Sequence, residues 1–333
     1  MKFCYLFFCL LVGRLLIAGP FIWVPDEPNN KVLVIDAATN TIFQTIPQSA
    51  GSFENPLSIA ITPATNQFAY VFNQLNNTVS VINTATYQLE TLIPLIPLGS
   101  STTKGQIVAS PNGEFVYVTN GEQQVVSVIS TSTQSLVTTI SGSGILEPTG
   151  IAFSPNSMYA YVADFAANQL FRINTSSYAV APLFPSETFD KPDVIAITAN
   201  GAFAYVTNIG SSPPKVSVLN LVNDTVLANI NLPTSSKPKA IALSSDGTRA
   251  YVACHGTSEI FTIDTLTHTL IDNHEEPVIT LNIDTLTDTL IDNPPGPVIA
   301  FNTGPHTESI YFYPAVQESS AKQFARPSHR RRQ

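Results

Sequence analysis

The sequence predicts an all-β chain, a single β-propeller of four-stranded antiparallel blades, and three observations predict it. A tetrapeptide strand that opens on an aromatic residue, most often Tyr-Val, recurs at a near-constant interval. Turn signals recur in register with it. The composition is 44% apolar and 12% charged, with 25 prolines and 16 glycines among runs of Val, Ile, Thr, Ser and Asn, which suits many short strands and few helices. At 333 residues the chain exceeds an ordinary single domain unless it is a closed β-fold or a repeat.

The recurring strand is clearest at Tyr117-Val118-Thr119-Asn120. Its counterparts are Trp23-Val24-Pro25-Asp26, Tyr70-Val71-Phe72-Asn73, Tyr161-Val162-Ala163-Asp164, Tyr205-Val206-Thr207-Asn208 and Tyr251-Val252-Ala253-Cys254, with a weak match at Tyr311-Phe312-Tyr313-Pro314. Successive spacings are 47, 47, 44, 44, 46 and 60 residues, and all but the last equal the length of one blade.

Residues 105 to 140 show how one unit is built. A buried apolar strand, Gln106 to Ala109, meets Ser110-Pro111-Asn112-Gly113, where Pro presets φ and Gly takes the left-handed position of a hairpin. The second strand, Phe115 to Thr119, ends at Asn120, and after a polar loop Val125 to Ile129 alternates as a third. Ser130-Thr131-Ser132-Thr133 then turns the chain into the fourth, Leu136 to Ile140. Equivalent turns stand at Ser154-Pro155-Asn156, Ala199-Asn200-Gly201 and Ser245-Asp246-Gly247, and a proline opens most units at 56, 148, 192, 238 and 297.

These features resemble the YVTN-repeat β-propeller family, whose motif stands unmodified at Tyr117 to Asn120 and Tyr205 to Asn208. The resemblance covers residues 20 to 314 and is nearly silent on ligand. It implies seven blades, with six as the alternative.

One stretch departs from the pattern. Residues 263 to 282 and 283 to 302 are a tandem copy identical at 14 of 20 positions, which accounts for the long last spacing. Residues 297 to 303 are expected to supply an innermost strand to the N-terminal unit, which begins at its second strand, so that the two chain ends close the ring. Whether the copy forms part of a seventh blade or bulges from a ring of six stays open at this level.

The ends of the chain read differently from its body. Met1 to Ala18 has a basic start, an apolar run from Phe3 to Val12 and a small-residue end, so residues 1 to 19 are expected to be a signal peptide and the chain periplasmic, secreted or cell-surface associated. No other segment is long and apolar enough to span a membrane. Residues 315 to 333 hold Lys322, Arg326, Arg330, Arg331 and Arg332 against Glu318 and read as a disordered basic tail. The formal charge of −9 thus divides into +4 on the tail, +2 on the leader and −15 on the body, which disfavours nonspecific binding of phosphate backbones over the whole surface. Cys4 and Cys9 lie in the leader, leaving Cys254 with no intramolecular partner.

Candidate functional residues fall in two sets. Asn73, Asn120, Asp164 and Asn208 end the second strands and are read as structural repeat positions, since Asn and Asp bond local backbone groups in tight turns. The second set lies at the entry to the innermost strands: Lys104, Glu147, Lys191, Asp193, Lys237 and Lys239, with Asn55 at the matching place in an earlier unit. Four of the chain's few lysines meeting at one end of an acidic body would make a local field able to attract an anion.

The five histidines, at 255, 268, 274, 306 and 329, show no zinc-type spacing, and the chain carries no G-x-S-x-G elbow, phosphate loop or Cys-x-x-Cys pair, so no metal or cofactor is expected. Sequons begin at Asn76, Asn174 and Asn223. The leading functional reading is a monomeric interaction scaffold for a protein, polymer or surface glycan. Two others stay open: a lactonase-like or oxidoreductase-associated enzyme, and binding of single-stranded DNA or another anionic ligand on the lysine face, which mouth aromatics would favour.

Overall fold

The computed structural model describes residues 21–300, apart from 28, 37–38, 40, 49–51, 64–66, 96–104, 245, 258, 272–278, 285–288 and 292–297. The leader, the basic tail, Lys104, His274, His306, His329 and the weak motif at Tyr311 lie outside the described residues.

Six antiparallel sheets follow one another along the chain as blades. Blade 1 comprises β1 (Phe21–Asp26), β2 (Lys31–Asp36) and β3 (Thr41–Ile46); blade 2 has β4 (Pro56–Ile61), β5 (Phe68–Asn73), β6 (Thr78–Asn83) and β7 (Leu89–Pro94). Blade 3 has β8 (Ile107–Ala109), β9 (Phe115–Asn120), β10 (Val125–Ser130) and β11 (Ser135–Ser141); blade 4 has β12 (Pro148–Phe153), β13 (Tyr159–Asp164), β14 (Gln169–Asn174) and β15 (Val180–Leu183). Blade 5 has β16 (Pro192–Ile197), β17 (Phe203–Asn208), β18 (Lys215–Asn220) and β19 (Thr225–Asn231); blade 6 has β20 (Pro238–Leu243), β21 (Arg249–Cys254), β22 (Glu259–Asp264) and β23 (Thr269–Ile271). In each complete blade the strands pair in sequence order, so every connection is a hairpin and the motif strand is second from the inside. The chain is therefore an all-β propeller of four-stranded blades.

The turns explain why these residues form these strands. In blade 3 the Ser110 hydroxyl donates to Asn112 Oδ1 at 2.7 Å, and Gly113 takes a φ of 75°. Thr198 with Asn200 and Ser244 with Asp246 repeat the bond, and Gly201 and Gly247 repeat the left-handed φ at 71°. Such a φ opposes any Cβ, yet blade 4 carries Ser157 there at 60°.

Side chains from facing sheets interlock to make one apolar layer between each pair of neighbouring blades. Trp23, Val32 and Val34 of blade 1 pack on Ile59, Ala69, Val71 and Ile82 of blade 2. Tyr205, Val216 and Val218 of blade 5 pack on Ile241, Ala250, Val252 and Ile263 of blade 6. Each blade thus buries both faces only because it has neighbours, and stability is shared along the ring.

Two features of the C-terminal part differ from expectation or extend it. The tandem copy forms a small separate sheet of β24 (Ile279–Asp284), β25 (Thr289–Ile291) and β26 (Val298–Ala300). Of the expected strand at 297 to 303 only Val298–Ala300 is described, running parallel beside β24, and blade 1 has three strands among the described residues. Among the described residues no helix is long and apolar enough to cross a membrane.

Candidate functional site

The loops that enter the innermost strands and the turns that follow the motif strands lie at one end of the ring. Backbone bonds fix this: Gln74 N donates to Asn55 O, Phe165 N to Glu147 O, Ile209 N to Lys191 O and His255 N to Lys237 O, all within 2.9 to 3.2 Å. The residue before the blade's opening proline turns its carbonyl toward that neighbouring turn. Three of these residues do so in the left-handed region, Asn55 at φ 60°, Lys191 at 51° and Lys237 at 48°. Asn tolerates that conformation; lysine carries a cost there.

The motif Asn and Asp side chains sit beneath this end and are buried. Asp164 Oδ1 accepts from Glu147 N at 3.0 Å and Ala167 N at 2.8 Å, and its Oδ2 accepts from Leu146 N at 2.8 Å. Asn208 Oδ1 accepts from Asp190 N, while its amide donates to Ser217 Oγ and Val206 O. Asn120 Oδ1 accepts from Gln123 N, and its amide reaches Asn77 Oδ1 in the preceding blade at 2.9 Å. Asn73 donates to Ser52 O, Thr78 Oγ1 and Ser80 Oγ. Each side chain therefore ties the loop entering a blade, or the turn leaving its second strand, to the sheet. Cys254 stands at this position in blade 6, buried, its thiol pushed up to about 12 mainly by burial.

Charged groups at the same end divide into paired and solvent-facing. Asp193 and Lys239 follow the opening prolines of adjacent innermost strands and form an ion pair of 3.7 Å, the aspartate nearly buried and the lysine 21% exposed. The Lys191 backbone N–H donates to Asn168 Oδ1 at 2.7 Å. The Lys191 ammonium lies 5.7 Å from the centre of the Phe165 ring, a partly exposed aromatic on the blade 4 turn. The lysine of β18, Lys215, donates to Thr188 O at 3.3 Å from the loop that leads to Lys191.

Of the residues singled out from sequence, Glu147, Lys191 and Lys237 share this end, Asp193 pairs with Lys239, and Lys104 lies outside the described residues. Phe165 was missed by sequence reasoning, although it directly follows the motif aspartate in the turn facing Lys191. Gly150 was missed as well. A Cβ there would stand 2.4 Å from Asp193 O and 2.8 Å from Val194 Cα, so glycine is what lets the innermost strands of blades 4 and 5 approach. Among the described residues no group of three or more His, Cys, Asp or Glu is placed to hold a metal ion.

A family model described as Lactonase, 7-bladed beta-propeller, matches residues 19–184, which run through blade 4. The model's description counts seven blades, against six among the described residues. Hydrazine synthase of Kuenenia stuttgartiensis is similar over 74% of this chain and 74% of its own, at 18% identity and a TM-score of 0.63. A functionally unknown protein from Desulfotomaculum acetoxidans DSM 771 is similar over 75% of this chain and 80% of its own, at 17% identity and a TM-score of 0.60. At such identities the likeness shows the fold alone. No curated protein matches the chain.

Proposed function

We propose that this chain is an exported, monomeric binding scaffold of the YVTN-repeat kind that takes an anionic ligand at the end of the ring bearing Lys191 and Lys237. The observation that carries the reading is the repetition of a lysine at one structural position. In blades 5 and 6 it precedes the opening proline, adopts the same left-handed backbone and offers its carbonyl to the same turn. A rotation about the ring relates the two backbone positions, which puts both lysines at one end, within reach of one ligand. Lys239 lies beside them, partly neutralised by Asp193. On a body of formal charge −15 such a patch is a local exception, and a ligand reaching it senses a field that the rest of the surface does not offer.

The ligand classes that fit are an acidic protein segment, an anionic polymer or surface glycan, and single-stranded DNA. The Phe165 ring beside Lys191 supports the last of these, because it joins a stacking surface to a cation. The test is a thermal-shift series with inorganic phosphate, polyphosphate, heparin-like sulfated glycan and a short oligothymidylate at two salt concentrations. Salt-sensitive stabilisation that disappears in Lys191→Ala/Lys237→Ala supports the reading. Stabilisation by none of the probes, or stabilisation untouched by the double variant, overturns it.

A second reading, a lactonase-like hydrolase, is favoured by the family model matched over residues 19–184. It predicts turnover of simple lactones by the purified chain, followed as acid release at constant pH. An anionic sugar lactone would engage the same lysines, so the double variant distinguishes use of this end from use of another.

A further inference from the structure

Among the described residues, the outer rim of the junction between blades 1 and 2 differs from that of every other junction. Four rings form a continuous run there. Phe21 and Phe43 lie 4.7 Å apart, Phe43 and Tyr87 5.9 Å, and Tyr87 and Trp23 stack at 5.8 Å with 27° between their planes. The backbone places each of them. Strand β3 carries a bulge, since Val34 stands opposite Gln44 and Ile35 opposite Ile42, which leaves Phe43 as the extra residue. Tyr87 stands in the β6–β7 turn at a φ of 58° and packs against the core shared by blades 1 and 2. Phe21 opens β1, at the opposite end of that strand from Asp26, so the run lies away from the lysine-bearing end of the ring.

The same backbone positions hold other chemistry in later blades. The bulged residue is Glu90 in blade 2, Val137 in blade 3 and Leu227 in blade 5. The turn residue of positive φ is Gln134, Asp224 or His268, and where it is again aromatic, at Tyr178, the bulge of the blade before it carries Val137. Blade 1 alone sets an aromatic bulge beside an aromatic turn.

Packing does not seal these rings. Phe43 is 45% exposed, Phe21 and Tyr87 are half-buried, and Trp23 lies beneath Tyr87. The polar groups around them are amides and carboxylates. Gln44 shares the face of Val34 and its amide donates to Thr45 O at 3.0 Å; Gln88, next to Tyr87, is exposed and donates to Thr86 O at 3.4 Å. Asp36 stands opposite Phe21, and Glu90 accepts from Asn83 of the turn that carries Tyr87. On a body of formal charge −15, carboxylates at the edge of the run repel an anion. Half-open ring faces flanked by amides match instead the C–H faces and hydroxyls of an uncharged sugar.

We infer that this aromatic run is a binding site for a neutral oligosaccharide, separate from the lysine-bearing end and independent of what binds there. A pyranose ring lies over Phe43 and Tyr87, and its hydroxyls bond to the amides of Gln44 and Gln88.

Trp23 is the chain's one tryptophan, so its emission reports on a ligand laid over Tyr87. The test titrates the full chain with short cello-, chito- and manno-oligosaccharides at low and high salt, and with a proline-rich peptide, the other ligand class that docks on aromatic grooves. A saturable change in emission is expected with at least one sugar, insensitive to salt and kept in Lys191→Ala/Lys237→Ala. Phe43→Ala and Phe43→Leu should each weaken it by about fivefold or more, the leucine variant keeping the apolar packing without the ring. Because Phe43 is so exposed, both variants should melt within about 2 °C of the parent. No saturable change with any sugar, a response that both variants retain, or saturation by the peptide alone overturns the inference.

Discussion

The buried Asp164 carboxylate permits a sharp test of what the motif residues do. Replacing it by Ala removes the acceptor for three backbone N–H groups, those of Leu146, Glu147 and Ala167. A buried donor left without a partner costs about 1–3 kcal/mol. All three bonds are only partly buried, so water compensates some of that loss, and the expected total is about 3–5 kcal/mol. Asp164→Asn keeps one acceptor oxygen but turns an NH2 toward one of the donors, for a loss of about 1–2 kcal/mol. With a urea dependence of about 3 kcal/mol per molar for a chain of this size, the alanine variant should shift the midpoint down by about 1–1.7 M and the asparagine variant by about 0.5 M. Amide exchange should quicken locally at Leu146, Glu147 and Ala167. An alanine variant within about 0.2 M of the parent would refute the reasoning and return this ring of polar residues to the list of functional candidates.

Three further outcomes follow from the packing. Gly150→Ala forces apart the innermost strands of blades 4 and 5 and should cost about 2–4 kcal/mol, measured by thermal unfolding beside Gly247→Ala, whose added Cβ meets nothing within 4 Å and carries only the cost of its left-handed backbone, about 1 kcal/mol. Burial lowers the pKa of His268 below its ordinary value, Asp264 opposing in part, so the folded state favours the neutral ring. Its contribution is therefore complete above the unfolded value of about 6.5 and is lost as pH falls below it; urea midpoints from pH 7.5 to 5 should decline, and His268→Gln should flatten that part of the curve. Cys254, with its thiol pushed up to about 12, should stay unreactive toward an aromatic disulfide at pH 8 in protein beginning at residue 20, and release one equivalent on denaturation.

What was legible in the sequence is what local chemistry encodes. Ser110-Pro111-Asn112-Gly113 specifies its own turn, because the Ser110 hydroxyl, the Asn112 amide and the left-handed Gly113 act within four residues of one another. Once such turns recur at a fixed interval, strand order and blade length follow, and the four strands read from residues 105 to 140 lie within a residue or so of β8 to β11. The contact of Tyr205 with His268 was not legible, since the two are 63 residues apart and meet only because neighbouring blades stack. The same limit hid Gly150, whose reason lies in the backbone of the next blade.

The candidate site shows why a repeat conceals its function. Residues that recur in every blade are consumed by the fold, as Asp164, Asn120 and Asn208 are by the loops they hold. Function has to be sought where a position that the backbone constrains alike is filled unlike its neighbours. The residue before the opening proline is such a position: Asn55 at a φ of 60° suits the left-handed backbone, whereas Lys191 and Lys237 occupy it at the cost of strain that a shorter polar residue would avoid. A binding role at that end predicts that Lys191→Asn/Lys237→Asn raises the melting temperature while abolishing the salt-sensitive shift with anions. A purely structural role predicts the first effect without a ligand response to lose.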